Sequence, residues 1–457
     1  MERYSNFFYK YLFVVVLIYY ILHIIIKISS GGVEYDDAEQ FLLYQNLSLY
    51  YTNAQPPLYN WLQYLFFKIF GLNIFAVAIF KHLILFLVFV LFYLLGRELK
   101  LSKIESLIST SLLFLLPQIS WGVEFKLTHS VLLLMFSVLT YLLLLKYLKA
   151  PNLIHSTLLG VSIGLSILSK YSSILLILSI TVAALLDNEY RRVVLSKKTL
   201  IVIVSSSVVV LPHIVPALYH YSEIVNAISQ KTDKNLGIIH GLISLFKAFM
   251  AFLAPLFVFG ATIFYKIGVI KGFRNRESKL IVTSIIVTFI IISIAIFVGV
   301  FDDFKERWFL PYLSITPLVI FAKIFPNKEY CYKKSASIVV SIVMVVILSI
   351  FFIRLIYPEI MYKIRGKYSH DAIDYNYLKE AIENRYKKPQ NIITDTLMLG
   401  GNIKLIFPNA NVAYFESIKR GSLVIKSKPF SGAKEFRVPY KFSRYNRYKS
   451  YYIKYIK

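Results

Sequence analysis

The sequence predicts an all-α polytopic membrane protein of about eleven transmembrane helices, closed by a small α/β domain outside the bilayer. Three observations predict it: apolar runs long enough to span a bilayer, cations gathered in alternate short loops, and a last hundred residues with no spanning run. Hydrophobic residues make up 57% of 457 positions, where soluble domains hold roughly half. Continuity decides the class. About 20 apolar residues in a row cross a bilayer, whereas a barrel would show short alternating segments.

The spans read as 11–29, 73–95, 104–120, 129–147, 153–169, 172–186, 199–219, 244–265, 280–300, 309–325 and 336–357. The fifth and sixth are short and read alternatively as one bent hairpin around Lys170. The first lacks a small-residue cleavage site, so it reads as a retained anchor rather than a signal peptide. Lys plus Arg number 51 against 25 Asp plus Glu, a net charge of +26. In a soluble chain that excess would suggest nucleic acid. Here eighteen cations, from Arg97 to Lys334, fall in one set of inter-span loops, and seven fall in the other. The richer set is expected in the cytoplasm, together with the N-terminus. An odd number of spans then puts the C-terminus outside.

Residues 1–357 thus form the membrane domain, with a first outer loop at 30–72. Residues 358–457 form a small soluble domain with 20 Lys plus Arg against 8 Asp plus Glu. His370–Lys388 reads as a helix with Ile373, Leu378, Ile382 and Tyr386 as its buried stripe. Residues 391–394 read as a strand, 397–406 as a helix and 411–415 as a second strand, giving one βαβ unit. The pair Gly400–Gly401 has no phosphate-loop pattern and carries only loop value. The tail from Arg437 reads as a solvated basic segment, with contact to anionic headgroups as the other reading. One cysteine, Cys331, excludes an intramolecular disulfide. The eight histidines are scattered, and neither HExxH nor CxxC occurs, so no metal site is expected.

The first outer loop concentrates chemistry. Glu34, Asp36, Asp37 and Glu39 lie just past the first span, and carboxylates facing lipid are costly. A polar cavity at that mouth is therefore expected, with Glu34 as ordinary loop solvation. Gln55, Pro56 and Pro57 fix an extended or turning backbone. From Leu58, an apolar stripe through Trp61, Leu62, Leu65, Phe66 and Ile69 is interrupted by Asn60, Gln63 and Lys68. That pattern is too short to span and reads as a helix lying in the membrane interface.

Asp36-Asp37-Ala38-Glu39-Gln40, Gln55-Pro56-Pro57-Leu58-Tyr59, Thr128-His129-Ser130-Val131, the run from Gly160 through Gly164 to Lys170-Tyr171, and Arg307-Trp-Phe-Leu-Pro311 occur in this order. Together they resemble the polyprenyl-phosphate-dependent glycosyltransferases of the GT-C class, over roughly residues 10–330. Within that class the chain is most similar to the branch of the rhizobial lipopolysaccharide galacturonosyltransferases. The resemblance implies an inverting transfer of a sugar from a polyprenyl-phosphate donor to an envelope acceptor: lipid A or lipopolysaccharide, another glycan or a protein. Asp36 is the implied general base, and Asp37 the residue that orients the acceptor. Adjacent carboxylates also raise each other's pKa. Lys170 and Arg307 are the implied cations for the departing phosphate, with Lys231 and Lys234 as weaker candidates. Glu39, Gln55, Pro56, Pro57, Tyr59 and His129 line the acceptor side, and His129 is also read as capping span four. Gln55 stands where the aminoarabinose transferase of this class has lysine, and His129 where an acid is common. No cofactor is implied, and a divalent metal is left open. The expected setting is a bacterial inner membrane, with the active site facing the periplasm.

A transporter or flippase would carry an internal repeat and matched broken helices, and neither is visible. An O-antigen polymerase or ligase would carry its large charged loop late in the chain, whereas here it comes first. No nucleic-acid partner is expected, and the oligomeric state is left open.

Overall fold

The computed structural model describes residues 9–51, 55–229, 236–264, 272–323, 329–365, 368–386, 388–414, 420–441 and 447–456. Lys231 and Lys234 lie outside the described residues, as do Lys266, Lys271 and Lys328 of the basic loops. The helices used below are α1 (Leu12–Ile28), α2 (Tyr35–Leu43), α3 (Leu58–Phe70), α4 (Ile74–Glu98), α5 (Lys103–Ser111), α6 (Thr128–Lys149), α7 (Leu153–Ser169), α8 (Ser173–Leu185), α9 (Lys198–Tyr219), α10 (Ile238–Phe264), α11 (Arg276–Phe297) and α12 (Glu329–Arg365). Two more belong to the C-terminal domain, α13 (Tyr375–Tyr386) and α14 (Leu397–Ile406). Among the described residues, six helices are long and apolar enough to cross a bilayer unaided. The chain is a multi-pass membrane protein.

Within the described residues each expected span falls mainly on helical backbone, but two differ in form. The third is broken: residues 103–115 and 117–124 meet at 73°. Pro117 opens the second limb and has no N–H to continue the first. The tenth is two short pieces, Leu310–Leu313 and Thr316–Lys323. The fifth and sixth are separate helices, α7 and α8, joined by residues 170–172.

The main helix pairs are α1 on α4, α4 on α6, α6 on α7 and α7 on α9. Gly160 and Gly164 let the last pair approach. A Cβ on Gly160 would lie 2.4 Å from the Val202 carbonyl, and one on Gly164 would lie 2.7 Å from the Val209 Cβ. Small residues four apart serve this purpose where the solvent is lipid. The interfacial helix α3 turns its polar side inward. Asn60 and Gln63 are buried with Tyr59 and Phe67, while Leu65 and Ile69 are 54% and 71% exposed. An interfacial helix keeps that arrangement when its apolar stripe faces lipid.

The C-terminal domain is a five-stranded sheet in the order β2-β1-β3-β5-β4. The strands are β1 (Asn391–Thr394), β2 (Asn411–Tyr414), β3 (Leu423–Lys426), β4 (Lys434–Pro439) and β5 (Tyr448–Tyr455). β1 runs parallel to β2, which is the expected βαβ unit with α14 as its crossover, and also parallel to β3. β5 is antiparallel to both β3 and β4. The tail is therefore sheet rather than a solvated segment. Tyr451 and Ile453 point into the core at strand spacing, with Tyr452 between them only half-buried.

This domain is bolted to the acidic loop. α2 packs on α14, and Gly401 lies against the Ala38 carbonyl, where a Cβ would come within 2.0 Å. The glycine pair is thus a helix–helix contact and not a loop. The Asn402 side chain accepts from the Val33 N–H at 2.8 Å and donates to the Val33 carbonyl at 3.0 Å. The Gly31 N–H donates to the Asp371 carbonyl at 2.8 Å.

Glu34 is caught in the same seam, where it accepts from the His370 N–H at 2.9 Å. Burial, and then the nearby Asp371 charge, push its carboxyl up from 4.5 to about 7. A carboxyl raised in the folded state stabilises the fold while protonated. That contribution is full below about 4.5, falls as pH rises, and is gone above about 7. The melting temperature of the detergent-solubilised protein should therefore fall across this window. Glu34→Gln should flatten the fall, and an unchanged slope would show that Glu34 does not titrate there.

Candidate active site

The acidic helix α2 is placed by its second aspartate. Asp37 is 0% exposed, and ammonium groups from two spans reach it. Lys27 near the end of α1 bonds one carboxylate oxygen, and Lys81 in the first turns of α4 lies 2.9 Å from the other. Burial alone would raise the Asp37 carboxyl, but the two ammoniums outweigh it and hold the group below the ordinary carboxylate range. The expected mutual elevation of the two aspartates does not describe Asp37. Its carboxylate is enclosed by the two ammonium groups.

Asp36, one residue earlier, is only partly buried. Its Oδ2 accepts from the Leu127 backbone N–H at 2.6 Å. Leu127 has φ +78°, a left-handed backbone that costs a branched residue of order 1 kcal/mol. The strained residue ends the broken span and opens α6, whose first residues are Thr128, His129 and Ser130.

The other expected residues gather on this short segment. Lys170 Nζ donates to Ser130 Oγ at 2.8 Å. The Tyr59 ring lies 5.4 Å from the His129 ring. The turn that carries Lys170 is held on both sides. Tyr171 Oη bonds His213 Nε2 at 2.8 Å, and Tyr312 Oη donates to the Ser172 carbonyl at 2.6 Å. Arg307 lies five residues before Tyr312, in the turn Glu306–Phe309. Among the described residues it makes no ion pair with its acidic neighbours. Asp303 meets Lys305 at 3.8 Å, and Asp302 accepts from the Leu236 N–H at 2.6 Å.

Pro56 and Pro57 are buried at the head of α3, with Gln55 half-buried before them. Pro57 caps that helix, so the proline pair aims Tyr59 toward α6. Glu39 faces another way. Burial, and then its charge, raise the phenols of Tyr35 and of Tyr414 on β2. The structure thus brings Asp36, Tyr59, His129 and Lys170 to one segment and turns Glu39 toward the C-terminal domain.

Five residues beneath this site were missed in the sequence: His23, Lys27, Lys81, His82 and Glu124. Each is an ionisable group within or beside an apolar run, and that rarity was the available signal. Glu124 ends the second limb of the broken span. His23 Nδ1 and His82 Nε2 each lie 3.2 Å from one of its carboxylate oxygens. The histidines are therefore not all scattered. His82 Nδ1 bonds the Ala78 carbonyl at 2.7 Å, so it carries a proton there.

The sequence profile of the family described as Dolichyl-phosphate-mannose-protein mannosyltransferase matches residues 54–220. That stretch holds Tyr59, Glu124, His129 and Lys170 and begins after the aspartates. The lipopolysaccharide core galacturonosyltransferase RgtA of Rhizobium johnstonii is 27% identical, over 93% of this chain and 88% of that protein. RgtB of the same organism is 27% identical over 69% of this chain and 65% of its own length. In fold, the chain is similar to ArnT from Cupriavidus metallidurans bound to undecaprenyl phosphate. The TM-score is 0.64 at 11% identity, covering 97% of each chain. The chain is a membrane glycosyltransferase of the GT-C type.

The buried hub gives a direct test. Lys81→Met leaves Asp37 with one partner, and breaking a buried pair typically costs about 3–5 kcal/mol. The variant should melt well below wild type in detergent. An unchanged melting temperature would show that α2 is held by other contacts.

Proposed function

We propose that this glycosyltransferase takes its sugar from a polyprenyl-phosphate donor and passes it to a hydroxyl of an envelope saccharide. One observation carries the reading: a carboxylate, Asp36, and an ammonium, Lys170, are tied to the same short segment, Leu127 and Ser130. Inverting transfer needs those two charges a few ångströms apart. The base faces the incoming hydroxyl, and the cation faces the outgoing phosphate.

Asp36 takes the acceptor's proton as its oxygen attacks the anomeric carbon. The bond from that carbon to the phosphate oxygen breaks, and the phosphate leaves with the electron pair. Lys170 stabilises the developing negative charge, aided by the first N–H groups of α6, which point from the positive end of the helix. Arg307 supplies a second cation from the turn that Tyr312 ties to Lys170's loop. Asp37 keeps α2 in register, and its charge is neutralised by lysines rather than offered to substrate. Tyr59 and His129 shape the acceptor side.

A lipid-linked donor fits the setting. The site lies beside α3, whose outward apolar stripe suits the level of the headgroups. The loop charges favour an N-terminus in the cytoplasm and a site on the outer face of a bacterial inner membrane. The relatives named for the lipopolysaccharide core support an acceptor of that class.

Asp36→Asn tests the base. Purified protein is assayed with polyprenyl-phosphate sugars and a crude envelope acceptor. The variant should keep its fold and donor binding while turnover falls by about 100-fold or more, the ordinary worth of a general base. Wild-type turnover by the variant would remove Asp36 from the chemistry.

A further inference from the structure

Glu124 lies three residues before Leu127 and touches neither Lys170 nor the aspartates. It is 2% exposed and is held from three directions. His23 of α1 meets one carboxylate oxygen, and His82 of α4 meets the other. Lys27 Nζ lies 3.3 Å from its backbone carbonyl. Lys27 is also the residue that bonds Asp37. One side chain therefore grips both the broken span and the acidic helix. The next residue, Phe125, lies under the Arg354 guanidinium at 4.3 Å. Two residues later comes the left-handed Leu127, whose N–H binds Asp36.

A carboxylate buried among spans is costly and calls for a purpose. The limb that carries Glu124 is a short 3-10 turn, Gly122–Glu124, which has little helical hydrogen bonding to hold its own position. Among the described residues its polar side-chain fixed points are the two imidazole contacts and the Lys27 contact, while Phe125 beyond it packs on Arg354 and Tyr357. Loss of the polar contacts frees the Glu124 side of the segment, and the strain at Leu127 favours relaxation of that backbone.

We infer that Glu124, gripped by His23 and His82, is a positioning residue that sets the Leu127 N–H and through it the orientation of the Asp36 carboxylate. The inference rests on Asp36 being the base, as proposed above. Glu124 does not meet substrate. Its replacement should slow the chemical step and leave donor affinity alone.

The experiment is a double-mutant cycle between Glu124→Gln and Asp36→Asn in the full-length purified protein. Turnover and the donor KM are both measured, with single-turnover rates for the slow variants. Glutamine keeps the shape and withdraws the charge that orders both imidazoles. Turnover is expected to fall about tenfold or more, as a displaced catalytic group commonly costs, with donor KM within about twofold of wild type. In the Asp36→Asn background the same change should cost less than about twofold, because there is no base left to misplace.

Wild-type turnover in Glu124→Gln, with Asp36→Asn inactive, would overturn the inference and leave the base standing. A full, additive loss in the Asp36→Asn background would also overturn it. Wild-type turnover in Asp36→Asn would sink the base reading and this inference together. If Glu124→Gln does not purify as a monodisperse protein, His82→Asn takes its place in the cycle. Asparagine keeps a donor for the Ala78 carbonyl and removes the contact to Glu124 together with the ring packing on Tyr20 and His23.

Discussion

Asp37 is a negative charge removed from water, and lysines from two separate spans neutralise it. A lone carboxylate in such a place would be too costly to keep ionised. Flanked by Lys27 and Lys81, it becomes a three-way joint between α1, α2 and α4. The geometry around it follows. The joint sets α2, α2 presents Asp36, and Asp36 meets the opening of α6. Lys27 then carries the joint on to Glu124 and the broken span. Buried pairs of this kind add little net stability over apolar packing, but they penalise wrong arrangements heavily. Fixing the register of a helix that carries the proposed base suits that property.

The C-terminal domain supports the same helix from outside. Gly401 lets α14 press onto Ala38, and Asn402 bonds both backbone groups of Val33, just before α2. The acidic helix is thus clamped between buried lysines on one side and the C-terminal sheet domain on the other. Such a clamp fits a reaction in which a carboxylate must be held within a fraction of an ångström of a hydroxyl. Glu34, in the same seam, makes the clamp sensitive to pH near neutrality.

Much of this was legible in the sequence, for physical reasons. Apolar run length reports helices directly, so within the described residues each expected span fell mainly on helical backbone, and the βαβ unit of the last domain followed from its periodicity. The order of the loop motifs pointed to Asp36, Tyr59, His129 and Lys170, which the structure gathers. What escaped were features set by packing. Pro117 was visible, yet the apolar residues around it made one straight span look adequate. Lys27, Lys81 and Glu124 are single charges beside long apolar runs, and averaging over a run hides them. Their meaning lies in convergence, which a linear pattern does not carry. Gly400–Gly401 looked like a turn because its partner, Ala38, is some 360 residues away in sequence. The tail hid its strands because its many Lys and Arg residues dominate its composition and mask the alternation of Tyr451 and Ile453.

A structure with polyprenyl phosphate bound would test the site most directly. The phosphate is expected within hydrogen-bond reach of Lys170 and the first N–H groups of α6, with Arg307 on its far side and Asp36 facing the space beyond it. A phosphate bound elsewhere, out of reach of Lys170, would contradict the placement of the site on this segment.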